Sequence, residues 1–361
     1  MESSGAAMPA PPFPSAPSLP VPEYQDRSTG LIVFGILEIA AGALCALMIP
    51  LISLGLVVGK TASNPATALR SFAVAAFTYI AIAAVLIVLG IGAVQAKRWA
   101  WALNLILSWL WLIAGAAITA MLVVVLPQGI LAGMRAAGAK NPGHPVSPGV
   151  MAVIVTVMIV FLALFLIFMP LAFLLFYRSR NVEETCKHHD PTERWTDRRP
   201  LPVLAVTLMA GAGAAYMCLI ALTTPLFPFF GRYLTGIPAA LVFFLLAVVD
   251  AYIAISFFRL KVAGWWVAVA TLAIRVCSML VTVGRANILQ AYSHLGWSSE
   301  QIEHMRINPM LRSGVLQYWS VAFLVIYLAF LFWVKRYFRA TAPPSYTEAA
   351  DSVSAPMQPG S

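Results

Sequence analysis

Glu38, Asp250 and Arg275 each sit inside a long apolar run. A charged side chain at the centre of a bilayer costs about 2.5–3.5 kcal/mol on insertion scales, so such groups face protein or water and take partners. An acid and a guanidinium at matching depth can form an ion pair, a proton relay or a polar crevice for a small solute. Glu38 and Asp250 each lie about eight residues from the inner end of their runs, or about 12 Å deep at 1.5 Å per residue. Arg275 lies about 11 residues in, or about 16 Å, and its long side chain spans the difference. The expectation is that all three meet in one layer.

Their neighbours predict inward-facing positions. Gly35, Glu38, Gly42 and Cys45 share a helix face, as do Ala247, Asp250 and Ala254. Small residues of this kind allow close helix packing in lipid. Around Arg275, the residues Thr271, Ser278, Thr282 and Arg285 recur at alternating spacings of four and three, giving a polar stripe. The candidate intramembrane site is therefore Glu38, Asp250, Thr271, Arg275, Ser278 and Thr282. Its plainer reading is structural: an Asp250–Arg275 pair with hydroxyl hydrogen bonds between helices.

The elements that must carry these residues are spanning helices. Of 361 residues, 61% are hydrophobic and only 10% charged, and the mean hydropathy is +0.85. A soluble fold could not cover that much apolar surface. About 20 apolar residues cross a bilayer core as a helix. Spans are predicted near 31–58, 71–95, 99–125, 149–175, 203–230, 236–258, 264–284 and 314–335. With Pro50 and Pro225 inside them, the first and fifth are expected to kink, tilt or continue beyond the membrane; the fourth runs past Pro170 to Tyr177 and is expected to end in an interfacial turn.

The formal charge of +9 does not imply nucleic acid, because the basic residues cluster at the ends of apolar runs. With the N-terminus inside, the inner segments hold 14 Lys and Arg and the outer loops eight. That bias predicts a multi-pass cell-membrane protein with cytoplasmic N- and C-termini. No signal peptide is read in the polar opening segment, so the first span is expected to act as its own targeting signal.

A repeat is read at an offset of 166, from Lys97-Arg98-Trp99-Ala100 against Ala263-Gly264-Trp265-Trp266 and from Phe161–Leu164 against Tyr327–Phe330. The fold class is thus all-α: a polytopic bundle of about eight spans in two tandem four-helix repeats of one orientation. The repeats occupy 31–180 and 203–340, with a cytoplasmic linker at 181–202 and tails at 1–30 and 341–361. Ala84 and Trp109 stand where the second copy has Asp250 and Arg275.

The tails are Pro-rich and expected to be disordered. Pro343-Pro344-Ser345-Tyr346 has the form of a WW-domain ligand, so a protein partner or second copy of the chain would engage the tails. The linker, with Cys186, His188, His189 and Asp190, reads as a polar hinge with Trp195 at the lipid interface; the same residue types could ligate a metal. Ser298 with Gln301 has capping-box spacing and predicts a short outer surface helix through Ile302 and Met305.

The linker run Thr185-Cys186 to Asp190-Pro191, Arg194–Asp197 and Pro200–Val203 resembles a segment of uncharacterised bacterial multi-pass membrane proteins. Phe34–Ile39 with Gly42 looks like the first helix of many four-span proteins. The resemblance implies a membrane family and carries over no catalytic residues. No Ser/His/Asp set, phosphate-binding glycine loop or His-Glu metal helix occurs, so no enzyme and no cofactor are expected. Two functions remain: a non-catalytic structural, sensor or assembly protein in contact with membrane lipids, or a transporter or channel for an unidentified small solute or ion.

Overall fold

Long runs of Leu, Val, Ile, Phe and Ala leave the backbone no water to bond with in lipid, and the helix satisfies every N–H and C=O internally. The structure, a computed structural model, describes residues 24–58, 65–140, 148–223, 225–294 and 313–339, with Trp297, Ser299, Ile302 and Glu303. The N-terminal tail to residue 23, the C-terminal tail with its Pro343–Tyr346 motif, and the Ser298/Gln301 capping pair lie outside these residues.

The elements are α1 (Ser28–Val58), α2 (Pro65–Val94), α3 (Arg98–Lys140), α4 (Pro148–Ala163), a π-turn (Leu164–Phe168), α5 (Met169–Tyr177), α6 (Arg180–His189), α7 (Leu201–Thr223), β1 (Leu226–Phe229), β2 (Arg232–Thr235), α8 (Gly236–Phe258), α9 (Val262–Arg285), α10 (Ile288–His294) and α11 (Ser313–Arg339). Among the described residues, eight segments are long and apolar enough to cross a membrane, with α4, the π-turn and α5 forming one of them. Their outer faces carry side chains such as Leu44, Val153 and Val248, each more than 60% exposed. Such a surface is stable only against lipid. The chain is an integral membrane protein.

Two elements differ from the sequence expectation, and a third shows how a proline is accommodated. The fifth span stops at Thr223 rather than near 230. Pro225 and Pro228 cannot donate helical hydrogen bonds, and the chain instead turns back as an antiparallel hairpin, Leu226 opposite Thr235 and Phe229 opposite Arg232. Its two-residue turn has positive φ at both positions, 40° at Phe230 and 102° at Gly231, as a type I′ turn requires. The fourth span runs past Pro170 to Tyr177, as its apolar run predicts, and absorbs the proline. Pro170 leaves the Leu166 carbonyl without its i+4 donor. A π-turn precedes the proline, and that carbonyl abuts Gly115 of α3, where any side chain would collide with it. The linker, read from its polarity as a loop, carries the helix α6. Val182, Thr185 and Cys186 fall on one face of α6 and are buried, and the Thr185 hydroxyl accepts the Arg27 N–H at 3.1 Å.

Helix pairing is closest within α1–α2 and α7–α8. Gly35 and Gly90 face each other so closely that a Cβ on Gly90 would lie 2.6 Å from the Gly35 carbonyl oxygen. Two buried cores sit at the linker end. One gathers Leu31, Ala93, Phe173, Tyr177, Val182 and Cys186; the other gathers Val203, Val206, Phe257, Trp265, Leu331 and Val334. A smaller seam of Ile106 with Leu204 and Ala205 joins α3 to α7.

The linker also bridges two tight turns. Arg98, after the α2–α3 turn, pairs with Asp197 at 3.5 Å. Trp195 packs near Phe258 beside the α8–α9 turn, with ring centroids 6.4 Å apart. Trp195 is therefore fixed against protein as well as half-exposed.

Candidate functional site

Asp250 and Arg275 meet. The Arg275 Nη2 donates to Asp250 Oδ2 at 2.9 Å, with side-chain exposures of 29% and 10%. The pairing follows from the antiparallel α8–α9 hairpin, which brings residues at similar depth face to face. Gly213 of α7 closes the other side of Asp250; a Cβ there would lie 3.6 Å from Oδ2. The opposite charges cancel in a site that would otherwise hold an uncompensated ion. Arg275 Nε, however, is buried with no hydrogen-bond partner among the described residues. The guanidinium thus retains a directed donor that an anionic or carbonyl oxygen could accept.

Glu38 does not join this pair. Its carboxylate lies within the first four spans, where Asn104 Nδ2 donates to Oε2 at 3.0 Å and the Tyr177 hydroxyl donates to Oε1 at 3.2 Å. Asn104 also donates to the Tyr177 oxygen at 3.1 Å. All three side chains are 3% exposed or less. Equal depth is not equal azimuth: α1 packs its glycine face on α2, and this turns Glu38 toward α3 and α5. The triad ties three helices together through neutral donors.

The polar stripe of α9 divides into two parts. Ser278 and Thr282 are 1% and 0% exposed and serve the β1–β2 turn, not Arg275. The Ser278 hydroxyl donates to the Pro228 carbonyl at 2.6 Å and accepts the Phe230 N–H at 3.1 Å. The Thr282 hydroxyl donates to the Ser278 carbonyl at 2.7 Å and accepts the Gly231 N–H at 3.1 Å. A type I′ turn leaves its two central N–H groups unpaired, and α9 supplies both acceptors. Thr271 is half-buried one turn from Arg275 toward the N-terminal end of α9.

Sequence reasoning missed Asn104, Tyr177 and Ser108. Asn104 and Ser108 were visible as polar residues four apart within an apolar run, a spacing that puts them on one helix face; Ser108 donates to the Asn104 carbonyl at 2.7 Å.

The linker residues with metal-binding chemistry point in different directions. Cys186 is 1% exposed in the first core, where burial, with Asp190 adding to it, pushes its thiol up to about 12. His189 Nδ1 lies 3.0 Å from the Thr185 carbonyl, and His188 lies between the rings of His189 and Tyr24. Among the described residues no three His, Cys, Asp or Glu side chains converge as a metal site would need.

Set against known proteins, the chain matches no family model, no curated protein and no solved structure.

Proposed function

We propose that the chain is a non-catalytic protein of the cell membrane with a structural, sensing or assembly role. It is built from two four-helix halves of one orientation and has cytoplasmic N- and C-termini. One observation carries this reading: most polar groups buried between helices are engaged by other parts of the same chain, while Arg275 Nε, Asn104 Oδ1 and the Thr119 hydroxyl have no hydrogen-bond partner among the described residues. Glu38 is held by Asn104 and Tyr177, Asp250 by Arg275, and Ser278 and Thr282 by the hairpin turn.

The halves are supported by two matching turns. Ala96 and Leu260 both have left-handed φ, 52° and 55°. Ala96 N–H donates to the Ala93 carbonyl and Lys97 N–H to Gly92, as Leu260 does to Phe257 and Lys261 to Ser256, all at 2.9 Å. These are Schellman closures. The close pair Gly92–Ala100 in the first turn becomes Ser256–Gly264 in the second, with glycine and larger partner exchanged. Beyond the turns, Trp101 Nε1 donates to the Tyr177 carbonyl and Trp265 Nε1 to Leu331, both at 2.8 Å. The turns and the two tryptophans favour an offset of 164 rather than 166 over this stretch, which would match Asp250 and Arg275 to Leu86 and Trp111; the carbonyls of Tyr177 and Leu331 are 154 apart, so the copies would differ in length before the last helix. The orientation is supported by the excess of Lys and Arg on the linker side, 14 against eight.

A second reading, a transporter or channel, is favoured by Arg275, whose Nε is buried without a partner. One experiment separates them. Asp250→Ala, Arg275→Ala and the double variant are purified, scored for folded yield, and reconstituted for proton and halide flux with pH- and halide-sensitive dyes. Each single change strands a charge, at about 3–5 kcal/mol, and lowers yield; the double change restores it. The structural reading holds if wild type shows no flux above empty vesicles. Flux in wild type that is lost in the folded double variant refutes it and establishes the transport reading.

A further inference from the structure

At the linker end of the first half, three of the cations are matched by nearby acids. Arg98 pairs with Asp197, Lys187 with Glu183 at 2.7 Å, and Arg194 with Asp190 at 3.5 Å. The corresponding end of the second half differs. Between Asp250 and Glu300 the chain has no acidic residue, and α11 has none, while Arg259, Lys261, Lys335 and Arg336 cluster where α8, α9 and α11 end or begin. Among the described residues none of these four cations is in an ion pair.

Their neighbours are aromatic. The Lys335 ammonium lies 4.2 Å from the Trp265 ring centroid and 4.9 Å from that of Trp266. The Arg336 guanidinium stacks 4.3 Å over Trp333 and donates to the Tyr337 hydroxyl at 2.9 Å. Trp265 is buried, but Trp266, Phe332 and Trp333 are 58%, 57% and 44% exposed on the outer surface of a spanning bundle. The cations thus stand at the edge of the apolar zone, directly above rings that acyl chains must cover. A soluble anion would meet only the charges; a phospholipid meets both parts at once.

We infer that this end of α8, α9 and α11 is a binding site for anionic phospholipid in the leaflet on the linker side. Lys261, Lys335 and Arg336 engage the phosphate-bearing headgroup, and Trp266, Phe332 and Trp333 pack against its chains. The inference rests on the chain being an integral membrane protein and not on which functional reading holds.

The test uses the full chain in lipid bilayers containing trace spin-labelled phosphatidylglycerol or phosphatidylcholine. The motionally restricted fraction of each label gives their relative affinity for the protein. Wild type should favour phosphatidylglycerol by about fivefold or more, the effect of one or more basic residues at the surface. Lys261→Gln/Lys335→Gln/Arg336→Gln should bring the ratio close to one, while the charge-keeping Lys261→Arg/Lys335→Arg/Arg336→Lys and the first-half control Lys187→Gln should keep it. If the triple Gln variant does not fold, Lys335→Gln alone carries the test and should at least halve the preference. The inference is overturned if wild type shows no preference, if the preference survives the Gln changes, or if Lys187→Gln removes it equally. It is also overturned if millimolar inorganic phosphate displaces the labelled lipid, since the site would then be one for a free anion.

Discussion

The hairpin between α7 and α8 should open when α9 loses two hydroxyls. An isolated two-stranded hairpin is marginal, and this one has four residues in each strand. Ser278→Ala removes one bond to the Pro228 carbonyl and one from the Phe230 N–H. Thr282→Val removes the acceptor for the Gly231 N–H while keeping the side-chain volume. Side-chain hydrogen bonds within membrane proteins average about 0.6 kcal/mol and reach about 1.7. Three lost bonds therefore amount to about 2–3 kcal/mol, a change of roughly 30- to 150-fold in the opening equilibrium at 1.4 kcal/mol per tenfold. Hydrogen exchange of the peptide covering Leu226–Thr235 measures that opening directly. The Phe230 and Gly231 amides should lose protection by that factor in the double variant, and by less in each single one. The turn amides would be answered by something other than α9 if their protection changed less than about threefold. The same result would remove the structural assignment of Ser278 and Thr282.

Two further outcomes follow from the packing. Gly90→Leu places side-chain atoms against the Gly35 carbonyl and should destabilise the α1–α2 pair by about 1–3 kcal/mol, read as a lower melting temperature in detergent; an unchanged melting point would mean the helices are not held this closely. Cys186 should resist maleimide in a background where the other cysteines are alanine, with a slow rate that keeps climbing about tenfold per pH unit through pH 9 without levelling off, because its thiol titrates near 12 against an ordinary value of about 8.5. The folded thiol holds its proton more tightly than the unfolded one. Its stabilising contribution is thus fully present below the unfolded value and is lost as pH rises toward the folded one; a labelling rate that levels off at about pH 8.5, as an ordinary thiol's does, would contradict this.

Much of the fold was legible because lipid demands one thing of the chain: about 20 apolar residues per crossing. Depth along a helix could also be read, and it sufficed for Asp250 and Arg275, which lie on adjacent antiparallel helices. It did not suffice for Glu38. Depth leaves rotation about the helix axis free, and that rotation is set by the Gly35–Gly90 approach, a contact between two helices that no single run discloses. The stripe of α9 failed for a related reason. Its periodicity correctly gave one face, but that face meets a hairpin at the end away from the linker and an acid nearer to it. The hairpin itself had a local signal, two prolines three apart and a glycine after Phe230, which the apolar character of Leu226–Phe230 outweighed. In the linker, Val182, Thr185 and Cys186 already had helical spacing, yet its charge suggested a loop.

The polar nodes bear on function through where they close. On the proposed repeat, the first half holds Glu38, Asn104 and Tyr177, and the second holds Asp250 and Arg275. The positions matching the Asp250–Arg275 pair in the first half are Leu86 and Trp111, and the position matching Asn104 in the second is Ala268. Each node is therefore private to its half. A solute path on an axis between two like halves would draw polar groups from both toward the seam. The seam between α3 and α7 is instead Ile106, Leu204 and Ala205 with Leu103, Leu110 and Leu201 around them. An apolar seam between halves whose charged groups each find their partner within the same half is what a rigid membrane scaffold requires. A transport path, if the flux experiment finds one, would have to run through the second half alone, past the free Nε of Arg275.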